Sequence, residues 1–416
     1  MKARRTVDSP YAWFRLAIAI IVSAIGGVGM WSVVVALPAV QAEFGVARGG
    51  ASLPFTLAMI GFALGGVLMG RLSDRFGILL PLLGGAVALG LGYAAAGLST
   101  SLWQFALAYG VIGLLGCAAT FVPLVADVSL WFERRRGIAV ALCACGNYLA
   151  GAIWPPVVEY FIRTAGWRAT HFAIAAFCVA TMLPLSLLLR GMPPRNAFSL
   201  AAVARADTEA FGLSRTSLTT VLAVAGVCCC VAMSMPQVHI VAYCGDLGYG
   251  VARGAQMLSL MLGLGIVSRI ASGFVADRIG GLATLLIGSL AQMTALGLYL
   301  LMNGLASLYV ISALFGLFQG GIVPSYAIIV RECFPPKEAG ARTGVVMMAT
   351  LFGMALGGWM SGAIFDLTGS YRAAFANGVV WNMANAAIAG WLLLRRGRPA
   401  GVMREYRAAL QPTRSE

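Results

Sequence analysis

The chain is a succession of long apolar segments separated by short polar connections. Each segment is close to the ~20 residues that an α-helix needs to cross the hydrocarbon core of a bilayer. Hydrophobic residues make up 60% of the 416 positions and charged residues only 11%, whereas a soluble domain carries about 25% charged residues. We therefore predict an all-α membrane protein with twelve transmembrane helices. The predicted spans are approximately 15–41, 51–70, 78–97, 103–130, 137–163, 168–190, 217–244, 254–276, 281–302, 305–330, 341–365 and 373–394.

The net charge of +14 comes from 29 Lys and Arg residues against 15 acids. If the N-terminus is cytoplasmic, 23 of these cations fall in cytoplasmic segments, including Arg15 at the start of the first span. Five cations fall outside, including Arg48. This asymmetry follows the positive-inside rule, so we predict a multi-pass protein of the cell inner membrane with both termini in the cytoplasm. Because the lipid bilayer explains the positions of the basic residues, no nucleic-acid partner is expected.

An eight-residue sequence occurs twice, after the second and the eighth predicted span. The first copy, GRLSDRFG, is 70–77, and the second copy, GFVADRIG, is 273–280. Such self-similarity predicts two related halves of six helices each. The N-terminal half, the cytoplasmic loop, the C-terminal half and the cytoplasmic tail are residues 1–190, 191–215, 216–396 and 397–416, respectively.

The repeated pattern Gly-x-x-x-Asp-Arg-x-Gly resembles the signature of the major facilitator superfamily, and the resemblance spans the whole chain. It implies the fold of that superfamily, with two pseudo-symmetric six-helix halves. The resemblance also implies that the two loops control the conformational change of alternating access. The residues expected to have this gating role are Gly70, Asp74, Arg75, Gly273, Asp277 and Arg278. A plain turn with ordinary loop charges is the alternative, and the recurrence of the pattern at equivalent places counts against it.

Two further segments narrow the family. The segment 130–139, LWFERRRGIA, is followed by 146–151, GNYLAG. Together they resemble the signature of the fourth and fifth helices in monocarboxylate carriers and oxalate/formate antiporters. The segment 26–31, GGVGMW, is similar to the glycine-rich motif in the first helix of the same carriers. The resemblance implies secondary active transport of a small organic carboxylate across the membrane.

Arg269 is the one cation that the sequence places deep inside a predicted span, about 12 Å from its cytoplasmic end. An arginine there costs about 2.5–3.5 kcal/mol on insertion scales and is by default a candidate functional residue. Its guanidinium stays charged and can donate to both oxygens of one carboxylate. The related carriers have a substrate-binding arginine here, so the resemblance implies the same role for Arg269. Bonding to backbone carbonyls or helix ends is the structural alternative.

The number of intramembrane cations bears on the substrate. The oxalate exchangers carry a second cation, a lysine in the eleventh helix, and the corresponding stretch 345–351, VVMMATL, has none. One fixed charge suits a monoanion, so we expect a lactate-like or small aromatic monocarboxylate. The resemblance implies proton symport, but Gly265 stands where the carriers have an acid one turn before the arginine. The proton would then travel on His239, which titrates near pH 6.5 when unperturbed, on Asp127 or Glu159, or with the substrate.

Six polar or aromatic residues lie in helices that line the cavity of such transporters, and they are candidate substrate ligands beside Arg269. They are Trp31, Asn147, His239, Gln319, Tyr326 and Trp359. Each has an ordinary explanation as well: interhelical hydrogen bonding for the amides and the histidine, and packing or interface anchoring for the tryptophans.

The sequence contains little that is typical of an enzyme active site. With two histidines there is no metal-ligand or triad pattern, so we expect neither catalysis nor a metal or cofactor. An organic anion exchanger, a uniporter, or a drug or metabolite exporter of the same fold is the alternative function. A membrane sensor or scaffold is the alternative from another class, and it would need an output domain that the tail of about 20 residues does not supply. We expect a monomer.

Overall fold

The computed structural model describes residues 7–191 and 211–396, and every regular element in these two stretches is a helix. The predicted cytoplasmic tail and most of the predicted loop between the halves lie outside the described residues. Within them, the all-α architecture predicted from the apolar segments is confirmed.

The N-terminal half contains ten α-helices and one π-helical turn. They are α1 (Pro10–Gly26), α2 (Val28–Phe44), α3 (Arg48–Ala51), α4 (Leu53–Phe76), α5 (Leu79–Leu98), α6 (Leu102–Val111), the π-helical turn (Ile112–Cys117), α7 (Val122–Trp131), α8 (Arg136–Ala144), α9 (Gly146–Ala165) and α10 (Trp167–Leu188). Each of four predicted spans therefore consists of two consecutive α-helices: α1 and α2, α3 and α4, α6 and α7, and α8 and α9.

The C-terminal half contains seven α-helices, most of which are uninterrupted. They are α11 (Arg215–Asp246), α12 (Val251–Ile279), α13 (Gly281–Leu301), α14 (Leu305–Gln319), α15 (Ile322–Cys333), α16 (Pro336–Thr368) and α17 (Tyr371–Arg396). Only the tenth predicted span is divided in this half, between α14 and α15.

Eleven helical stretches in the described part are long and apolar enough to cross a membrane. The remaining predicted span is α17, whose 26 residues extend about 39 Å. Its asparagines lower its hydropathy, yet two of them bond inside the protein. The side-chain amide groups of Asn382 and Asn385 donate to the carbonyl and the hydroxyl of Ser289, each at 2.7 Å. Their amide N–H groups are thus bonded inside the protein and not to water.

Helices pack against one another within each half, and the two halves meet along what we call the domain interface. Within the halves, α5 packs against α10, and α11 packs against α16 and α17. The domain interface is formed mainly by α9 with α12 and by α4 with α16, with α2 and α11 nearby. This arrangement is the fold that the repeated sequence predicted.

We name the two ends of the bundle by their residues. The motif end holds both copies of the repeated sequence, with Asp74 near the end of α4 and Asp277 near the end of α12. The Arg48 end holds the connections from α2 to α3, from α11 to α12 and from α16 to α17.

Three helix interruptions of the N-terminal half meet at one level of the bundle. α1 gives way to α2 at Gly27, α7 begins after Thr120, and α9 begins after Cys145. A Cβ at Gly26 would overlap the Thr120 side chain, and one at Gly146 would overlap α1, so glycines allow this close approach. Interrupted helices occur at membrane depth where the backbone is buried in protein or lines a cavity.

Arg15 corrects one expectation, because it does not flank the first span on the cytoplasmic side. It is 1% exposed inside α1, and its Nε and Nη2 donate to the two oxygens of Asp127 in α7 at 2.7 and 2.9 Å. The Trp131 ring covers the guanidinium. Arg269 is therefore not the only cation inside a span. Removing one partner of such a buried pair costs about 3–5 kcal/mol, because the other charge is left buried without a partner.

Candidate substrate site at the domain interface

Arg269 lies on α12 at the domain interface, and its guanidinium contacts both halves. Its Nη1 donates to the carbonyl of Ala144 at 3.1 Å, and its Nε donates to the carbonyl of Gly320 at 3.4 Å. Its Cζ lies 4.4 Å from the centroid of the Tyr148 ring. Among the residues that the structure describes, no acid forms an ion pair with Arg269. Neutral groups alone hold this half-buried cation.

Both carbonyls stand where a helix ends. Ala144 is the last residue of α8, and Gly320 follows the last residue of α14. The C-terminal end of a helix carries unpaired carbonyls and a partial negative charge, which attract a cation. These contacts orient Arg269 without neutralising it. A carboxylate would bind the guanidinium more strongly than neutral carbonyls do, because charge-assisted hydrogen bonds are roughly twice as strong.

The packing around Gly265 explains why this chain has no acid at the position where the related carriers have one. It lies one helical turn before Arg269 on α12, and a Cβ there would overlap the ring of Tyr148 from α9. The Tyr148 ring therefore occupies the space that a side chain at 265 would need. An aromatic face replaces a carboxylate beside the arginine, which leaves the positive charge of Arg269 available.

Trp31 and Asn147 belong to the same region. The indole Nε1 of Trp31 donates to the backbone carbonyl of Asn147 at 3.2 Å. The Trp31 ring lies against Gly151, where a Cβ would be 2.9 Å from it. The side-chain Oδ1 of Asn147 is buried and accepts no hydrogen bond from the described residues. Trp31 and Asn147 therefore meet at the start of α9, whose next residue, Tyr148, contacts Arg269.

Gln319 also adjoins this region, because the next residue, Gly320, accepts from Arg269. It is fully buried, and its Oε1 accepts from Nε2 of Gln237 on α11 at 2.6 Å. Its own Nε2 is buried and has no partner in the described part of the chain. Gln237 was missed at the sequence level, and its polar side chain next to Pro236 within an apolar span was the signal that could have found it.

His239 does not belong to this group. It is fully buried in α11, where its Nε2 donates to the carbonyl of Gly358 at 2.8 Å. Its Nδ1 therefore accepts from the hydroxyl of Tyr371 at 3.2 Å. Both ring nitrogens are thus engaged inside the C-terminal half, which is the interhelical role named above as the alternative.

Tyr326 and Trp359 also have no described contact with Arg269. The Tyr326 hydroxyl donates to Oδ1 of Asn385 on α17 at 2.7 Å, and the side chain is fully buried. Trp359 is 42% exposed and shares one face of α16 with Phe352 and Leu356, which are 39% and 37% exposed. That face continues to the exposed Leu367 and is typical of a lipid-facing stripe.

The two repeated sequences lie at the surface of the motif end. Asp74, Arg75, Asp277 and Arg278 are all exposed. None of the four forms an ion pair with another described residue. A Cβ at Gly70 would meet Val122 of the same half, and a Cβ at Gly273 would face open space. In this conformation the motif end is not closed by the repeated sequences.

The opposite end is closed by Arg48, whose role was missed at the sequence level. Its Nη2 donates to both oxygens of Asp246 at the end of α11, at 2.9 and 3.1 Å. Asp366 of α16 accepts from the backbone N–H groups of Arg48 and Gly49 at 2.8 and 2.7 Å. We call Arg48, Asp246, Asp366 and Tyr371 the Arg48 gate, because the first joins the other three across the domain interface.

The described ion pairs at the motif end do not cross the domain interface. Arg15–Asp127, Arg215–Glu338 and Arg342–Glu338 each join residues of the same half. The described halves are therefore tied together by charge at the Arg48 end. A polar site on the interface between two halves, closed at one end, defines a polytopic membrane transporter.

The chain belongs to the Major Facilitator Superfamily. The sequence model of that family matches residues 19–311 and 292–415, which together cover most of the chain. The protein is thus a membrane transporter and not an enzyme.

Its relatives include monocarboxylate transporters. Monocarboxylate transporter 13 of Bos taurus is 27% identical over 346 residues, covering 80% of this chain and 78% of that protein. Monocarboxylate transporter 11 of Homo sapiens is 27% identical over 323 residues, covering 73% and 66%. The MFS transporter asaE of Aspergillus flavus is 26% identical over 312 residues, covering 74% and 69%. The resemblance to the monocarboxylate carrier branch is confirmed.

The fold is similar to that of a solved transporter. The bacterial homolog of the human lysosomal transporter Spinster, in its inward-facing and occupied conformation, matches with a TM-score of 0.68 and 14% identity. The match covers 94% of this chain and 96% of that chain. At this identity the likeness shows the fold alone.

Proposed function

We propose that this protein moves a small organic monocarboxylate across the membrane by alternating access, with Arg269 as the carboxylate ligand. The observation that carries the proposal is that Arg269 is a cation at the domain interface without a described acidic partner. The other two arginines buried in the described spans, Arg15 and Arg48, have such partners. A cation in a low-dielectric site attracts an anion, so the substrate supplies the missing charge.

The neighbours of Arg269 support a small and partly polar substrate. Trp31 and Tyr148 offer aromatic surface, while Asn147 and Gln319 offer one unused acceptor and one unused donor. An amide N–H group can donate to a carboxylate oxygen that the guanidinium leaves free. One fixed charge balances one carboxylate, so a second carboxylate would stay unpaired. A lactate-like or small aromatic monocarboxylate fits these groups. Monocarboxylate transporters among the relatives support the same substrate class.

We propose that the motif end faces the cytoplasm and the Arg48 end faces outward, in the inner membrane, with both termini cytoplasmic. The excess of Lys and Arg in the predicted cytoplasmic segments supports this orientation. The present conformation would then expose the site to the cytoplasm, because the Arg48 gate ties the halves outside. The halves would be residues 1–190 and 216–396 of a monomer, joined through 191–215, with 397–416 as a cytoplasmic tail.

Substrate binding would act on the contact between the halves. Arg269 now donates to Ala144 of one half and to Gly320 of the other. A carboxylate that takes these hydrogen bonds would loosen one set of contacts across the domain interface and leave the halves free to rock. Closure of the motif end would then bring the two repeated sequences into contact with the opposite half, in the gating role proposed for Gly70, Asp74, Arg75, Gly273, Asp277 and Arg278.

Proton symport is the coupling we propose. Asp127 is paired with Arg15, and Glu159 is paired with Arg163 one turn away. The ring nitrogens of His239 are both bonded. A proton that travels with the substrate as the neutral acid therefore needs the fewest broken contacts. Organic anion exchange and uniport are the alternatives, and a drug or metabolite exporter is the alternative substrate class.

A thermal-shift screen of the purified protein against small carboxylates tests the central claim. A ligand that prefers the folded state raises the melting temperature by mass action. We expect monocarboxylates to stabilise the wild type far more than Arg269→Ala, because losing one partner of a buried charge pair costs about 2–5 kcal/mol. Arg269→Lys should retain weak binding, since lysine keeps the charge and loses the planar fork.

Arg253→Ala is the matched control. Arg253 lies on the same helix, is exposed and bonds to Gln256, so its removal deletes the same charge far from the site. Its ligand response should equal that of the wild type. Equal stabilisation of wild type and Arg269→Ala by the same carboxylate, at equal expression and folding, would refute the assignment of Arg269.

A further inference from the structure

The guanidinium of Arg48 has unused capacity for an anion. Its Nη2 makes both of its bonds to Asp246, while its Nε is buried and has no hydrogen-bond partner among the described residues. The rings of Phe365 and Tyr371 hold the guanidinium, with centroids 5.1 and 5.9 Å from Cζ. The side-on edge of the guanidinium, which can bind both oxygens of a carboxylate, is therefore only half used.

A depression opens onto this group from the Arg48 end. Its volume is about 410 Å³. It is lined by Pro38, Gln41, Ala42, Gly45, Val46, Arg48, Ala242, Gly245 and Asp246. The Asp246 side chain is 37% exposed, against 10% for that of Arg48. The acid of the pair thus meets water while the cation stays enclosed.

The second acid of the Arg48 gate does not compete for the guanidinium. Both oxygens of Asp366 accept from the backbone N–H groups of Arg48 and Gly49. Its charge is therefore satisfied by the start of α3, where unpaired N–H groups favour an anion. Asp246 is left as the exchangeable partner of the Arg48 side chain.

We propose that Arg48 forms a second, outer carboxylate subsite, which an arriving substrate occupies in place of Asp246. The exchange replaces one carboxylate by another, so the hydrogen bonds on Nη2 are kept and the free Nε gains a partner. Asp246 can turn into the open depression, because its side chain is already 37% exposed and bulk water can solvate the released carboxylate.

This exchange has a consequence for the transport cycle. Arg48–Asp246 joins the Arg48 side chain to the other half, whereas Arg48 with a bound substrate keeps only the backbone contact with Asp366. Substrate outside the membrane therefore weakens the Arg48 gate and favours the outward-open conformation, because a ligand shifts an equilibrium towards the state that binds it better. The subsite rests on the proposed carboxylate substrate and is separate from Arg269.

The first test measures binding with the central site removed. In an Arg269→Ala background, the purified protein is titrated with lactate, pyruvate and benzoate, and with the neutral amide of each as a control. We expect weak residual binding of at least one carboxylate and not of its amide. Asp246→Asn should tighten this binding roughly fivefold or more, because it removes the competing charge, at the lower end of the range for coupled sites. Arg48→Gln should abolish it.

Arg168→Gln is the matched control. Arg168 pairs with Glu43 at the same end, but both residues belong to the N-terminal half. It should leave the residual binding unchanged. Absence of residual binding in the Arg269→Ala background, or equal binding with and without Arg48, overturns the subsite. If Arg269→Ala binds as tightly as the wild type, the proposed function itself fails, and the two failures are thereby distinguished.

The second test measures opening of the Arg48 gate. Thr56 of α4 donates to the carbonyl of Ala355 across the domain interface, beneath the gate. All nine native cysteines are buried, so Thr56→Cys can be labelled in intact cells with a membrane-impermeant maleimide, and the chain without it gives the background. We expect external carboxylate to accelerate labelling roughly fivefold or more, also in the Arg269→Ala background. A carboxylate effect that disappears with Arg269→Ala and persists with Arg48→Gln would assign it to the central site and overturn the proposal.

Discussion

Arg48 and Arg269 are both arginines at the domain interface, but their hydrogen-bond partners differ. Arg48 meets two carboxylates of the other half and holds the halves together. Arg269 meets only two carbonyls and an aromatic ring. A guanidinium already matched by a fixed acid closes an interface, whereas an unmatched one is left to bind an anion that comes and goes. The difference lies in the partner and not in the arginine.

Asp366 extends this comparison to the motif end. It accepts from two backbone N–H groups at the start of α3 in the opposite half. Asp74 and Asp277 are exposed and form no ion pair with the described residues in the present conformation. We infer that they cap helix starts of the other half when the motif end closes, in the way that Asp366 does here. The two ends would then use the same chemistry in turn.

The strongest test of this difference between Arg48 and Arg269 is to place a fixed acid beside Arg269. Gly265→Asp places a carboxylate one turn away on the same face of α12, where it would also displace the Tyr148 ring. We expect carboxylate binding at neutral pH to weaken at least tenfold in a titration of the purified protein, because the new carboxylate competes for the guanidinium. Gly265→Asn is the control of equal size without charge, and it should bind at least tenfold more tightly than Gly265→Asp. Equal affinity of the two variants would show that only the space beside Tyr148 matters.

The charge of the ligand provides the next test. A dianion leaves one carboxylate unpaired in the site, so lactate or benzoate should compete at least about tenfold better than oxalate or succinate, a difference of about 1.4 kcal/mol. Competition against one labelled monocarboxylate at neutral pH measures this ratio. A preference for the dianions would mean that a second cation reaches the site.

The repeated loops should affect the rate and not the affinity. Asp74→Asn or Asp277→Asn removes a contact of about 1 kcal/mol that forms only in the other conformation, which would slow turnover roughly fivefold. Equilibrium binding should stay within about threefold of the wild type, since neither acid is near Arg269. Uptake into proteoliposomes and binding to the purified protein give the two numbers. Weaker binding with normal turnover would contradict the gating role.

The smallest effect is expected for His239→Gln. Because the proton is proposed to travel with the substrate as the neutral acid, uptake should rise as the pH falls from about 7.5 to about 5.5 in wild type and variant alike. Glutamine can still donate to the Gly358 carbonyl, so the rate should change by no more than about twofold. A flattened pH profile in the variant would instead identify His239 as the proton carrier. Uptake that ignores an imposed pH gradient would point to exchange or uniport.

Much of the architecture was predictable because it depends on local properties of the chain. The apolar segments predicted the spans, since each bilayer helix must satisfy its own backbone. The repeated sequence predicted the two halves, and Arg269 stood out as a charge inside an apolar segment. Asn147 and Gln319 were predictable only as candidates, because their residue type does not say which way they face.

The tertiary structure decided which charges are matched. Arg15 lies 112 positions from Asp127, and Arg48 lies 198 positions from Asp246, so neither pair follows from local sequence. The sequence by itself determined that this protein is a two-half membrane bundle with a cation inside the eighth span. Only the folded chain decided that two other arginines are neutralised and that Arg269 is not, because an ion pair depends on distances of a few ångströms between distant segments.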